Sequence, residues 1–324
     1  MLRRIALLFL LISPCLAADS DGQQLLDAAH KLVDIRSAGS KPFQLEADFI
    51  ALQPDRPQKG HLTLRWSARD LWQMDVNFGT FTLHEVFKGD TSYIVRSAPI
   101  TPLRVNEMLN LTEIYTDKQN AWQAKKMKHR TEDGINKDCL ELHGKEKYSE
   151  HRELCINSTT HDILSDHTKA GANFHLKEFA DYRAFGEHRY PWQMQSTENA
   201  DVIVRLQVVS LQEASFESTF FLSPADAIVR RHCDDMKHPV PQKNPDPVYP
   251  PAARQARYQG TAVTIVTIET DGSVSDAQLA RTAGRSDLDE SALNAVKKWT
   301  FKPAMCGSEP VTTDVSVEVS FRLN

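Results

Sequence analysis

Residues 261–274 read T-A-V-T-I-V-T-I-E-T-D-G-S-V, and they indicate the structure of the C-terminal end of the chain. Thr261 to Thr270 is rich in β-branched residues, which favour a strand. Asp271-Gly272 is a strong hairpin turn, and the chain returns over Val274–Leu279. The stretch therefore predicts two antiparallel strands joined by a tight turn.

Helical patterns lie on both sides of this hairpin. Tyr249–Tyr258 begins with prolines that suit a first helical turn, and Gly260 ends the helix. Leu288–Trp299 follows the hairpin, and Asp287 with Glu290 forms a D-x-x-E cap at its start. The apolar face of this second helix comprises Leu288, Ala292, Ala295, Val296 and Trp299. At this helical spacing the face is expected to pack on the sheet.

The end of the chain alternates with a period of two, as a half-buried strand does. One face holds the residues Val311, Thr313, Val315, Val317, Val319 and Phe321. The other face is polar and holds Thr312, Asp314, Ser316, Glu318, Ser320 and Arg322. Three strands and two helices make a small α+β layer structure, and the open edges of such a sheet can accept a strand from another chain.

This order of elements resembles the C-terminal domain of the TonB energy-transducer family over residues 249–324. The marker residues are Tyr249-Pro250, Gly260, Asp271-Gly272, Leu288-Asp289, Trp299-Thr300-Phe301 and Pro303. The resemblance implies a protein-binding module of a bacterial periplasm and not an enzyme. It also implies that the edge of the last strand receives the "TonB box" segment of an outer-membrane receptor. The implied partners are an outer-membrane transporter or another periplasmic protein, with inner-membrane motor proteins as further partners. The alternative is that this strand only closes the sheet.

The start of the chain has the pattern of an export signal. Two arginines precede the apolar run Ile5–Ile12, and small residues follow at Ala17 and Ala18. A basic start, a short apolar core and a small-residue cleavage site predict a signal peptide over residues 1–18, and hence a periplasmic protein. The alternatives are an uncleaved segment that anchors the chain in the inner membrane, and a lipoprotein processed at Cys15.

The cysteines beyond the signal are even in number, which favours disulfides in an exported protein. They are Cys139, Cys155, Cys233 and Cys306. A hairpin with its turn near Lys145 to Tyr148 places Cys139 opposite Cys155, within bridging distance. Cys233 and Cys306 then pair by elimination. The alternative is four reduced, buried thiols.

The region of residues 22–234 changes from a helical period to a period of two. An amphipathic helix is predicted at Gln23–Arg36, and a second helix near Leu103–Leu111. The predicted strands are Phe43–Leu52, His61–Ser67, Leu71–Phe78, Thr82–Phe87, Ser92–Arg96, Lys125–Thr131, Lys137–His143, His151–Ile156, Ile163–His167, Phe174–Arg183, Pro191–Thr197 and Asp201–Ser210. This pattern predicts a curved, half-barrel-like antiparallel sheet.

A second resemblance concerns this β-rich region. Its cues are G-H-L-T-L-R-W at 60–66, F-K-G-D-T-S-Y-I-V at 87–95, Y-P-W-Q-M-Q-S-T at 190–197 and F-F-L-S-P-A-D-A at 220–227. These stretches resemble the LolA-like periplasmic lipoprotein-carrier fold, which implies a lipid or another apolar ligand as an alternative function. A proline-rich linker over 235–251 follows, with six prolines in residues 239–251, and is expected to be a stiff, extended spacer.

The remaining patterns exclude several classes of function. A formal net charge of -5 gives no electrostatic footprint for nucleic acid. The 12 histidines are scattered without H-x-x-x-H or H-E-x-x-H spacing, and no C-x-x-C occurs, so no metal site is expected. No nucleophile elbow, phosphate-binding loop or dinucleotide fingerprint is present. The sequence therefore predicts an α+β binding protein without catalytic residues or cofactor.

Overall fold

The computed structural model describes residues 15–52, 56–114, 122–144, 151–170, 173–233 and 236–323. The predicted turn at Lys145 to Tyr148 and most of the predicted signal peptide lie outside the described residues. Among the described residues, no helix combines the length and the apolar character needed to cross a membrane.

Most of the secondary-structure elements are strands, and helices are few. The helices are α1 Cys15–Val33, α2 Leu103–Thr112, α3 Pro251–Gln255 and α4 Ser286–Val296, with a short 3₁₀ helix at Ser218–Phe221. The strands before residue 235 are β1 Phe43–Ala51, β2 Gln58–Ala68, β3 Leu71–Phe78, β4 Phe81–Lys88, β5 Thr91–Arg96, β6 Trp122–Glu132, β7 Ile135–Gly144, β8 His151–Asn157, β9 Ile163–Ala170, β10 Asn173–Phe185, β11 His188–Glu198, β12 Asp201–Glu213 and β13 Ile228–Arg231. The later strands are β14 Val240–Lys243, β15 Gly260–Ile268, β16 Val274–Arg281, β17 Thr300–Lys302, β18 Ala304–Cys306, β19 Glu309–Val311 and β20 Thr313–Phe321.

Two compact units divide the described chain. The first holds the described residues up to Ile35 together with those of Ile114–Asp201, and the second holds Arg36–Glu113 and the residues from Val202 onward. The predicted fold class is confirmed, since antiparallel sheet with few helices precedes a small sheet domain with helices.

The first unit is a row of antiparallel strands in the order β11–β10–β9–β8–β7–β6, and α1 packs on β6 and β11. Its β7–β8 register places Cys139 opposite Cys155, as predicted. These two cysteines form a disulfide with a Cα–Cα distance of 4.0 Å. The local spacing of two strands was sufficient to predict this bond, because directly opposed residues on neighbouring strands lie within bridging distance.

The second unit contains the strand order β13–β5–β4–β3–β2–β1–β12. One face is apolar: alternate residues of β1 are buried from Phe43 to Ala51. Phe43 stacks on Trp66 of β2 with ring centroids 5.4 Å apart. Phe49 lies over Gly60 so closely that a Cβ there would stand 2.2 Å from the ring. Gly60 is therefore required by the packing of Phe49 and not by its backbone conformation.

His30, a buried histidine of the first unit, has a strongly lowered pKa. Its side chain lies in α1 and the residue is 1% exposed. Burial, together with the positive charge of Arg152, lowers the pKa of His30 from 6.5 to about 3. Between these two values the imidazole is therefore neutral in the folded protein, whereas the unfolded chain would bind a proton there.

We expect acid to destabilise the protein through His30. Because the folded pKa lies below the unfolded value, this contribution is fully present above pH 6.5 and is lost as the pH falls from 6.5 towards 3. The loss is about 1.4 kcal/mol for each pH unit in this window. Urea unfolding at pH 7.5 and pH 5 measures it. His30→Leu should reduce the difference in the free energy of unfolding between the two pH values, whereas His161→Asn, at an exposed histidine, should leave that difference unchanged. Equal pH dependence in parent and His30→Leu would contradict this assignment.

Candidate partner-binding edge

We call residues 240–323 the C-terminal module. Its sheet has three strands, as predicted, in the order β16–β15–β20, and α4 packs on β15 and β16. The buried core joins Val266 and Ile268 of β15 to Leu288 and Val296 of α4 and to Phe301. The strand residues come from the first strand of the predicted hairpin, which is buried without a break from Ala262 to Ile268, and the helix residues come from the predicted apolar face.

The start of α4 differs from the prediction. The helix begins at Ser286, and the residue before it, Arg285, makes no side-chain capping hydrogen bond. Asp287 binds the Arg285 guanidinium, at 2.9 Å from Nε and 2.8 Å from Nη2, so the predicted cap with Glu290 is wrong. Instead, Asp289 accepts hydrogen bonds from the preceding loop, from the Thr282 hydroxyl and the Ala283 N–H. Because the helix starts early, Asp287 lies inside the first turn, where its charge still suits the positive helix end.

Trp299 lies outside the helix, contrary to prediction. The helix ends at Val296, and the Trp299 N–H donates to the Val296 carbonyl at 3.0 Å in the turn that follows. The side chain is half-buried against the core, and its indole Nε1 donates to the carbonyl of Pro245 at 3.1 Å. Trp299 thus joins the proline-rich segment to the module.

The proline-rich segment is paired for part of its length. Strand β14, Val240–Lys243, is antiparallel to β17. Ser291 of α4 donates a hydrogen bond to the carbonyl of Val248 at 2.5 Å. A proline is compatible with an edge strand, so Pro241 does not prevent this pairing. Where the sequence predicts a stiff spacer, these residues lie along the module.

The last strand begins two residues later than predicted. Val311 belongs to β19, where it pairs with Ala304 of β18, and the chain turns between these strands at Gly307 with φ 60°. The other predicted residues, Thr313, Val315, Val317, Val319 and Phe321, all lie in β20. Pairing with β15 extends over the whole of β20, from Ile268 opposite Thr313 to Gly260 opposite Phe321.

One edge of β20 is unpaired by any described strand. Val319 and Phe321 are buried, whereas Val315 and Val317 are half-buried against the core. On the opposite face, Ser316, Glu318 and Ser320 are exposed. The strand therefore presents unpaired main-chain groups beside an apolar row that its own module covers incompletely.

A second disulfide joins the residues just before the module to the module. Cys233 bonds to Cys306 of β18, as predicted, with a Cα–Cα distance of 5.7 Å. Next to it, Lys237 and Met305 exchange two main-chain hydrogen bonds of 2.9 and 3.0 Å. The module is thus fastened at its β18 strand to the segment that follows β13.

A buried ion pair connects the same region to β5. Arg96 Nη1 donates to Asp314 Oδ2 at 3.0 Å, and the Arg96 side chain is 4% exposed. Asp314 Oδ1 also accepts from the Thr267 hydroxyl at 2.7 Å, and Arg230 Nη2 lies 3.8 Å from it. We call Arg96, Arg230 and Asp314 the Asp314 cluster. Sequence reasoning missed it because Arg96 and Asp314 are 218 residues apart and neither carries a local signal.

A known family matches most of this module. Residues 245–323 match the family described as Gram-negative bacterial TonB protein C-terminal. The TonB-like resemblance of the C-terminal end is therefore confirmed. The match covers the three-stranded sheet, both helices of the module and the free edge of β20.

Two curated relatives match the same TonB-like region. Protein tonB2 of Pseudomonas aeruginosa is 40% identical over 81 residues, which are 25% of this chain and 30% of that protein. Protein TonB of Xanthomonas campestris pv. campestris is 36% identical over 78 residues, 24% of this chain and 35% of that protein. The chain thus spans about a third of the length of these relatives.

The β-rich region is similar to a solved structure of a LolA superfamily protein from Nitrosomonas europaea. The TM-score is 0.44 at 10% identity, with 62% of this chain and 97% of that chain covered. No functional argument follows from a likeness at this score.

Proposed function

We propose that this chain is a periplasmic, TonB-like protein whose C-terminal module binds an extended segment of an outer-membrane transporter. The segment adds as a strand to the free edge of β20. The observation that carries this proposal is that β20 pairs with β15 along one side while no described strand pairs with the other. An added strand gains main-chain hydrogen bonds along such an edge.

The side chains of β20 support the same mode of binding. Val315 and Val317 are half-buried, so an added strand with apolar residues at alternate positions would complete their burial. Ser316, Glu318 and Ser320 remain on the solvent face. Inner-membrane motor proteins are the further partners that a transport role of this kind requires.

Site-specific photo-crosslinking tests the proposal. We expect a photoreactive amino acid at Ser316 or Ser320 of the full chain to capture a peptide from the periplasmic N-terminus of an outer-membrane transporter of the same cell. The matched control is Leu279, which is 38% exposed on β16 at the opposite edge of the same sheet. Capture at Leu279 equal to that at Ser316 and Ser320 would show that binding does not use the β20 edge.

A further inference from the structure

The segment after β13 runs beside the residues that lead into β20. At the end of β13 Arg231 binds Glu309 of β19, and in the segment that follows Cys233 bonds to Cys306 of β18. Lys237 and Met305 then form an antiparallel bridge through two main-chain hydrogen bonds. At Lys237 the segment therefore takes the main-chain pairing that an added strand would use beside β18.

The Asp314 cluster lies at the end of this arrangement. Asp314 is the second residue of β20, and its carboxylate holds Arg230 of β13 and Arg96 of β5. Asp314 supplies the carboxylate of the ion pair that the nearly buried Arg96 forms, the Thr101 hydroxyl accepts a longer hydrogen bond from Nη1 at 3.3 Å, and Nε has no acceptor among the described residues. A buried guanidinium that loses its carboxylate is strongly destabilised. The first residues of β20 are thus fixed to β5 and β13.

We propose that the Asp314 cluster controls how much of the β20 edge a partner segment can reach, an inference that rests on the function proposed above. With the cluster formed, strand addition is confined to Val315–Phe321, where Ser316, Glu318 and Ser320 are exposed. When the cluster breaks, the edge becomes accessible from Thr313, and the added strand lengthens.

The matched variants are Arg96→Met and Arg281→Met. Both remove a guanidinium that faces a carboxylate of β20, since Arg281 Nη2 lies 3.6 Å from Glu318 Oε1. Arg96 of β5 contacts the first residues of β20. Arg281 of β16, within the module, contacts the exposed second half of β20. Methionine keeps much of the volume of the buried Arg96 stem, and Asp314→Asn breaks the same pair from the other side if Arg96→Met fails to fold.

Hydrogen exchange of the full chain without any partner tests the cluster itself. We expect amides 313–315 to exchange about tenfold faster or more in Arg96→Met, because local opening no longer breaks the buried pair. Amides 317–321 should change by less than about twofold, and Arg281→Met should leave amides 313–315 as in the parent. Unchanged exchange at 313–315 in both Arg96→Met and Asp314→Asn overturns the proposal.

Crosslinking to the transporter peptide tests the control of access. A photoreactive group at Ser320 should capture the peptide in the parent and in Arg96→Met, whereas one at Thr313 should capture it in Arg96→Met alone. Equal capture at Thr313 in the parent overturns the control of access while the proposed function stands. Absence of capture at either position in every variant overturns the proposed function and, with it, the control of access; the exchange result still decides whether the cluster fixes the strand.

Discussion

Proline at Ser316 and proline at Val317 are expected to act differently: one should destabilise the C-terminal module, and the other should weaken the binding of the partner segment. In an antiparallel ladder, successive residues direct their main-chain groups alternately to one neighbouring strand and to the other. One of these two residues therefore bonds to β15, and the other directs its N–H to the free edge. Proline removes that N–H in either case.

The variant that loses a bond to β15 should destabilise the module, by about 1–3 kcal/mol for the unpaired carbonyl in addition to strand distortion. The variant that loses the outward N–H should stay folded, since proline is tolerated on an edge strand, and should bind the transporter peptide about tenfold more weakly or worse. Circular dichroism identifies the folded variant, and crosslinking from Ser320 measures its binding.

Ser316→Ala and Val317→Ile are the matched controls, because each keeps its N–H, and isoleucine also keeps the apolar character of Val317. Both should bind the peptide as the parent does, since strand addition depends mainly on main-chain bonds. A folded proline variant with parental binding would show that the partner does not pair with β20.

Removal of the Cys233–Cys306 disulfide should lower the free energy of unfolding more than removal of the Cys139–Cys155 disulfide. The first bond closes a loop with a sequence separation of 73, against 16 for the second. In the chain-entropy account the longer loop contributes about 4 kcal/mol and the shorter about 3 kcal/mol, because a cross-link restricts the unfolded chain more as its loop lengthens.

Guanidinium unfolding of the full chain under oxidising conditions measures both effects. Each cysteine pair is replaced as a double variant, Cys233→Ser with Cys306→Ser and Cys139→Ser with Cys155→Ser, so that neither partner of a broken bond is left as a free thiol. The first double variant should lose more of the free energy of unfolding than the second. The reverse order would contradict the loop-length account. A parent protein that unfolds identically with and without reductant would contradict both bonds.

Local patterns predicted most of the strands. The strand from Leu71 to Phe78 has the predicted bounds, and α2 begins at Leu103 as predicted, because alternation and helical spacing are properties of neighbouring residues. The Cys139–Cys155 bond was predicted for the same reason. Most observed strands end within a few residues of the predicted bounds. They differ where hydrogen bonds to a neighbouring strand continue beyond the alternating residues.

Contacts between distant segments could not be predicted from the sequence. Strand β13 has four residues and is defined by its pairing with β5. The pairing of β14 with β17 and the contact of Arg96 with Asp314 also join parts of the chain that have no spacing in common. The free edge of β20 was predictable because alternation marks a strand, whereas the residues that fix its first end were not.

The Cys233–Cys306 bond also defines a path for mechanical tension. The loop it closes contains β14, α3, β15, β16, α4, β17 and β18, whereas β13 and β20 lie outside it on either side. A pull on β20 towards its C-terminal end is carried backwards along the chain to Cys306 and then across the sulfur bridge to Cys233. The covalent load thus reaches β13 without passing along the looped part of the chain, and β15 meets that load only through its main-chain hydrogen bonds with β20.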